Sequence, residues 1–375
     1  MTTTVDGSAI VYCEGAFNTP NGKTAHGLVR FTRRYRILSV VDSHYAGRDA
    51  GEVLDGAPNG VPILASIEDA WRAAGESGIA ATHLVIGLAP DGGRLSAQAR
   101  DDVASALEMG LNVDSGLHDF LSEDPGLAPL AAGKAVTIRD VRKPPDRGSL
   151  HFFSGRIERV DSFKVALLGT DSAVGKRTTA WRLVDALNDA GNSAEMVGTG
   201  QTAWMQGVRY GILLDSLIND FVTGEIEHAV WSAWNDLHPR VIVIEGQGSL
   251  LNPAYPGGFE ILAAARPDAV VLQHAPARVD YDGFPGYPIH PLRRQIDAIE
   301  MISEARVVAV TINHEGIPGE EIASACAAAG KSVGLPAFDV LLDGAGGLAE
   351  AVLAYMKGSA PAARRGRSGA DSESA

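Results

Sequence analysis

The sequence predicts two α/β domains in tandem: a Rossmann-like parallel-sheet domain over residues 1–147, then a P-loop NTPase-like doubly wound domain over residues 148–357. Three observations carry this. Short apolar runs alternate with stretches of helical spacing, the pattern of parallel sheets covered by helices on both faces. At 375 residues the chain exceeds one compact core, since domains hold roughly 100–200 residues each. In the second half, a glycine-rich loop follows a strand and opens a helix.

In the first domain, Ala9–Glu14 reads as a short strand and Arg36–Asp42 as a second that ends on an acid. Ser66–Ala74 has helical spacing and Thr82–Ala89 is a third strand. Pro90–Gly93 is a loop leading to a helix over Ser96–Met109, and Leu111–Asp114 and Ala135–Asp140 are further strands. A G-x-G-x-x-G fingerprint is absent, so NAD has no positive support here despite the fold class. The polar, Pro-containing break Lys143–Gly148 marks the boundary.

Beyond it, Val160–Leu168 is the strand that enters the glycine loop, and Arg177–Ala190 is the helix that leaves it. Strand Ala194–Gly198, helix Asp215–Ala233, strand Val241–Glu245 and strand Ala269–Gln273 follow. Helix Leu292–Ser303, strand Val307–Asn313 and helices Gly319–Ala329 and Gly347–Met356 complete the unit. The Ala-, Arg-, Ser- and Gly-rich tail over residues 358–375 reads as disordered.

Composition narrows the function classes. Hydrophobic residues are 45% of the chain, enough for large cores, while 43 glycines and only 6% aromatics fit many tight strand-to-helix turns. A net charge of −14 speaks against nucleic acid and anionic membranes as partners and leaves a small-molecule substrate. The same acidic make-up leaves room for a homo-oligomer. No stretch of about 18 apolar residues exists, so no membrane span is expected. Cys13 and Cys326 are too few and too far apart for a disulfide framework or a zinc site, which points to a reducing cytoplasm. The N-terminus has no basic segment followed by an apolar run, so no signal peptide is expected.

The chemistry concentrates in Gly169, Thr170, Asp171, Ser172, Ala173, Val174, Gly175 and Lys176. Consecutive N–H groups of such a loop converge on phosphate oxygens, and the helix N-terminus adds partial positive charge. Gly175 lets the backbone approach closely, and Lys176 brings an ammonium to the terminal phosphates. Two departures from the usual pattern matter. Five residues separate Gly169 from Gly175 rather than four, and Arg177 stands where Ser or Thr would hold magnesium. Thr178 or Thr179 is then the candidate hydroxyl, one position late or more, if a metal is used.

Val241–Glu245 is a buried strand ending in an acid before a glycine loop. An acid at this place in P-loop proteins holds magnesium or a water, so Glu245 is both a candidate catalytic group and a candidate metal ligand. Its structural alternative is a strand-end cap. Gln201 and Thr202 follow another strand and are candidate substrate or phosphate contacts, with plain turn chemistry as the alternative. Asn313 ends a late strand, where its amide suits a purine edge or a turn.

The stretches GTDSAVGK, IEGQGS and INHEG resemble dethiobiotin synthetase and its P-loop relatives, with Arg177 breaking the likeness at the hydroxyl position. A closer resemblance spans residues 9–357. The blocks KTAHGLVRF, VDSHYAGRDAGEVL, IGLAPDGGRL, GLNVDSGLHDFL, IRDVRKPP, GTDSAVGKRTTA, GTGQTAWM, NDFVTGEIE, IEGQGSLLNPAYPG and LQHAPAR, in that order, are similar to a bacterial and archaeal family long catalogued as a domain of unknown function. Some of its members are described as D-glutamate N-acetyltransferases that use acetyl-CoA.

That resemblance implies an acetyl-CoA-dependent enzyme whose loop cradles the coenzyme's diphosphate, with Arg177 as a second cation. Amine acetylation needs a general base, for which Glu245 comes first and His118 second, although a structural role suits His118 equally. It also needs cations for substrate carboxylates. Arg48, Arg94 and Arg142 follow predicted strands and are the candidates, against an ordinary reading as solvated charges. Two rivals remain: an ATP–magnesium kinase or amide-forming ligase, and a non-catalytic nucleotide sensor.

Overall fold

A computed structural model describes residues 5–359. By internal contacts the chain divides after Pro145 into two units, and the short segment Gly200–Val208 belongs with the first.

The first unit is a six-stranded sheet of β1 (Gly7–Tyr12), β2 (Tyr35–Val41), β3 (Ile63–Leu64), β4 (His83–Ile86), β5 (Asn112–Ser115) and β6 (Ile138–Asp140). Its order is 3-2-1-4-5-6 with every pairing parallel, the Rossmann arrangement. Ile10, Tyr12, Leu84, Ile86 and Val113 form the sheet side of its core, met by Val103 and Leu107 of the helix Ala97–Glu108. That helix starts where expected because Ser96 caps it, its side chain accepting from Ala99 N.

The second unit has seven strands: β7 (Phe163–Gly169), β8 (Ala194–Gly198), β9 (Tyr210–Gly211), β10 (Val241–Glu245), β11 (Ala269–His274), β12 (Arg306–Ile312) and β13 (Ala337–Phe338). Their order is 13-12-11-7-10-8-9, again all parallel. The chain builds outward on one side of β7 and then crosses to the other. β7 therefore stands at the switch point, where ligands of such sheets bind beyond the strand ends. All of its residues are buried, as are those of β10, which explains their continuous apolar runs.

Sequence patterning missed the helix Lys23–Arg30, whose buried Ala25, Leu28 and Val29 sit at helical spacing but are interrupted by Gly27. It also placed Gly198–Thr202 only as a strand followed by candidate ligand contacts or a turn, with no helix. The chain instead forms the helix Gln201–Met205, which packs with the first unit. Gln206 Nε2 donates to Gly27 O at 2.8 Å and Phe31 O at 2.9 Å, and the Arg34 guanidinium lies 3.9 Å over the Trp204 ring. The long helix expected from Asp215 starts at Asn219, because Leu214–Ser216 makes a separate 3-10 turn; it runs to Leu237.

The helix Gly346–Gly358 closes the described chain, and the disordered tail expected after it lies outside the described residues. No helix among the described residues is long and apolar enough to cross a membrane.

Candidate functional site

β7 delivers Gly169 to the edge of the second sheet, and the helix Lys176–Asp189 begins seven residues later. Between them the backbone turns twice into the left-handed region, at Ala173 (φ 50°) and Gly175 (φ 100°). A positive φ at a non-glycine residue is costly and persists only where the surrounding structure holds it. Alternating hand turns successive N–H groups inward, which makes an anion-binding concavity. Among the described residues, the amides of Ala173, Val174, Gly175 and Lys176 take no intramolecular acceptor.

Lys176 folds back over this concavity. Its Nζ donates to Asp171 O at 2.8 Å and Gly248 O at 2.9 Å. Gly169 is required for that path, since a Cβ there would come within 2.9 Å of Lys176 Cδ. Gly248 is required from the other side: it has φ 51°, and a Cβ would stand 2.0 Å from Tyr255 O.

Asp171, expected among the ligand contacts, instead organises the loop. Its carboxylate is fully buried and accepts four hydrogen bonds, from Ser172 N (2.7 Å), Asn252 Nδ2 (2.8 Å), Arg278 Nη1 (3.0 Å) and Asp282 N (2.9 Å). Ser172 Oγ donates to Asp282 at 3.0 Å. Arg278 also donates to Ser172 O and Ala173 O, and a second carboxylate, Glu315, holds its far side at 2.9 Å.

Thr170 is buried against His274, Oγ1 to Nδ1 at 3.0 Å. Burial pulls the His274 imidazole down to about 4, so it is neutral at ordinary pH. Asn313 lies beside the loop. Its Nδ2 donates to Val174 O at 3.1 Å and its Oδ1 accepts from Glu315 N at 2.9 Å, so both ends of the amide support the loop. Of the two candidate hydroxyls, Thr179 Oγ1 is committed to Gln273 Oε1 at 2.6 Å, and Thr178 is half-buried in the first turn.

Glu245 ends β10, the neighbour of β7. It is buried, and its Oε2 accepts from Thr199 N at 3.0 Å. Burial raises its carboxyl above the usual range, and the charges of Arg177 and Lys176 oppose that shift. Lys176 moves the opposite way: burial pulls its ammonium down to about 8, against the pull of Glu245 and Asp171 and with a small push from Arg278. An anion binds the protonated amine. The dissociation constant of a diphosphate held by this loop should therefore be flat below about pH 8 and rise about tenfold per pH unit above it, well before an ordinary lysine titrates near 10.4. Calorimetric titrations from about pH 7 to about pH 9.5 check this; an unchanged affinity across that range excludes Lys176 as the binding cation.

The remaining expected residues lie in the first unit. His118 is exposed and stacks on Gly93, where a Cβ would come within 2.3 Å of its ring. Burial and the Arg142 charge lower its pKa. Arg142 is buried, pulled down to about 10, and donates Nε to Gly116 O at 2.6 Å. Gln201 packs on the same Gly116, while Thr202 is buried against Thr24, Oγ1 to Oγ1 at 3.1 Å. Arg94 faces Asp119 at 3.7 Å and Arg48 faces Glu52 at 4.0 Å, both in solvent-exposed pairs. Glu14, Asp42 and His44 bring potential metal-ligand atoms within 4.8 Å of one another. Asp42 and Glu14 already accept from Phe17 N, His44 N and Ser43.

Arg278, Asn252, Asp282 and Gln273 were not anticipated as part of the site. The blocks NPAYPG and LQHAPAR carry three of them, and a polar residue such as Gln273 inside the apolar run Ala269–His274 was an available signal.

Residues 151–349 match the P-loop domain of unknown function DUF1611_C, and residues 43–144 match the Rossmann-like domain of unknown function DUF1611_N. A protein of Tritonibacter scottomollicae named D-glutamate N-acetyltransferase is 32% identical over 280 residues, covering 73% of this chain and 82% of its own. A Pseudoalteromonas protein of the same name is 29% identical over 277 residues, covering 71% and 80%. The crystal structure of a DUF1611 family protein from Anabaena variabilis is similar at a TM-score of 0.85 and 29% identity, over 92% of this chain and 99% of its own.

Proposed function

This chain belongs to the DUF1611 family, and from that premise we propose that it is an acetyl-CoA-dependent N-acetyltransferase whose acceptor is a small amino acid, D-glutamate. The names of its two relatives support the reaction class. The observation that carries the coenzyme assignment is the loop itself. Its inward-turned amides from Ala173 to Lys176 and the Lys176 ammonium suit a diphosphate, and Arg177 occupies the position from which a hydroxyl would hold a metal. A diphosphate that is only gripped, not cleaved, needs no such hydroxyl.

Acetyl-CoA, when bound, supplies the acetyl group already activated as a thioester. The loop amides would fix its diphosphate. Lys176 would exchange its bonds to Asp171 O and Gly248 O for phosphate oxygens. Glu245, whose burial favours proton uptake, would take the proton that the acceptor ammonium must shed before its nitrogen attacks the acetyl carbon. Nitrogen–carbon bond formation and carbon–sulfur cleavage then expel coenzyme A as a thiolate, which takes up the second proton shed by the acylated nitrogen and leaves as a thiol.

The test mixes the full chain with acetyl-CoA and D-glutamate and follows thiol release, with melting curves taken beside it in acetyl-CoA and in ATP–magnesium. Thiol release that requires D-glutamate, together with a raised melting temperature in acetyl-CoA, is the expected result. A second reading, an ATP–magnesium kinase or ligase, draws on Glu245 at the end of the strand beside the loop strand. Stabilisation by ATP–magnesium and none by acetyl-CoA would select it.

A further inference from the structure

We propose that a cavity of about 540 Å3 beside the glycine loop is a carboxylate-binding acceptor pocket in which Arg294 captures the acid of the acceptor amino acid. The chemistry assigned to it rests on the acetyltransferase reading; the geometry does not.

The cavity is fastened to the loop. Leu251 and Pro253 line it and flank Asn252, whose Nδ2 donates to Asp171. Tyr281 lines it and precedes Asp282, which donates its backbone N–H to Asp171 and accepts from Ser172 Oγ. Three hydrogen bonds thus tie two stretches of the cavity wall to the Asp171–Ser172 side of the loop.

Its lining is mostly apolar or aromatic, with few polar groups and no carboxylate. Such a surface suits the carbon body of a small ligand that presents one of its carboxylates to a cation. Tyr281 OH and His290 Nδ1 are 2.9 Å apart and satisfy each other. The permanent charge is Arg294, in the first turn of the helix Leu292–Ser303. That helix has no side-chain cap, so its first N–H groups add to the attraction for an anion.

Arg294 differs from the other arginines considered for this role. Among the described residues its side chain makes no ion pair or hydrogen bond. Its neighbour Arg293 is held by Asp297 at 2.6 Å, Arg48 faces Glu52, Arg94 faces Asp119, and Arg142 is tied to Gly116 O. A guanidinium at the rim of an apolar cavity can form a bidentate pair with a carboxylate.

The experiment titrates D-glutamate and glutarate into the full wild-type chain, Arg294→Gln and Arg293→Gln, and measures thiol-release kinetics on the same proteins. Arg294→Gln is expected to weaken D-glutamate binding and raise its KM by about 10–100-fold, with kcat and acetyl-CoA affinity within about twofold. Arg293→Gln should match wild type. Unchanged binding in Arg294→Gln, equal loss in both variants, or no binding of either carboxylate by wild type would each overturn the pocket. If carboxylate binding depends on Arg294 but no thiol is released, the pocket stands and the acetyltransferase reading fails.

Discussion

Asp171→Ala is expected to destabilise the second unit by about 3–5 kcal/mol, the usual cost of removing one partner from a buried charged network. The carboxylate is fully buried and accepts from four donors on three stretches of chain, Arg278 and Asp282 sharing one. Its removal strands the amides of Ser172 and Asp282 and the Asn252 side chain. It also leaves Arg278, whose side chain is 17% exposed, with Glu315 as its remaining carboxylate partner. Urea unfolding should show the loss directly, and the melting temperature should fall by about 6–20 °C for a unit of this size. Coenzyme A affinity should fall with it, because the turn that aims the loop amides is held in place by this side chain. A loss below about 1 kcal/mol would mean that the loop stands without its hub, contrary to the cost expected for stranded buried donors. Asp171→Asn separates charge from shape: it keeps two acceptor lone pairs but turns an amide donor toward other donors, so it should recover only part of the loss.

This hub also shows where sequence reading stops. The loop from Gly169 to Lys176 was readable because its chemistry is local: a buried strand, two glycines and a lysine at the mouth of a helix. β8, β10 and the helix Leu292–Ser303 were bounded correctly for the same reason, being apolar runs or periodic stretches with clear ends. Asp171 looked like a ligand contact because its donors lie 81, 107 and 111 residues away, at Asn252, Arg278 and Asp282, and no local pattern joins them.

The helix Gln201–Met205 failed similarly. It is only five residues long, it follows a strand of the second unit, and the groups that bury it, Thr24, Gly27 and Phe31, come from the first. Asn313 was placed correctly at a strand end, but its hydrogen bond to the loop was not foreseen. Whether its amide faces a base or the Val174 carbonyl depends on the loop's path, which the sequence does not state.

Glu245→Gln is the change expected to act most strongly on chemistry. A positioned general base is worth about 10²–10⁴ in rate, so kcat should fall by that range. The fold should not suffer. Gln Oε1 can still accept from Thr199 N, and the amide is close in shape to the protonated acid that burial favours. Linkage sets the sign. Because folding raises the Glu245 pKa, its contribution to stability is fully present below the unfolded value of about 4.5 and is lost as pH rises through the folded value. Glutamine has no proton to lose, so the variant should be at least as stable as wild type at neutral pH, and the gap should widen as pH rises out of the acid range. The same two groups frame the rate. The proposed mechanism needs Glu245 ionised and Lys176 protonated, so kcat/KM should rise through the Glu245 pKa and fall above about pH 8. In Glu245→Gln the acid limb should disappear while the alkaline limb stays. A variant that keeps near-wild-type kcat, or keeps the acid limb, would move the base elsewhere and leave Glu245 as an anchor for Thr199.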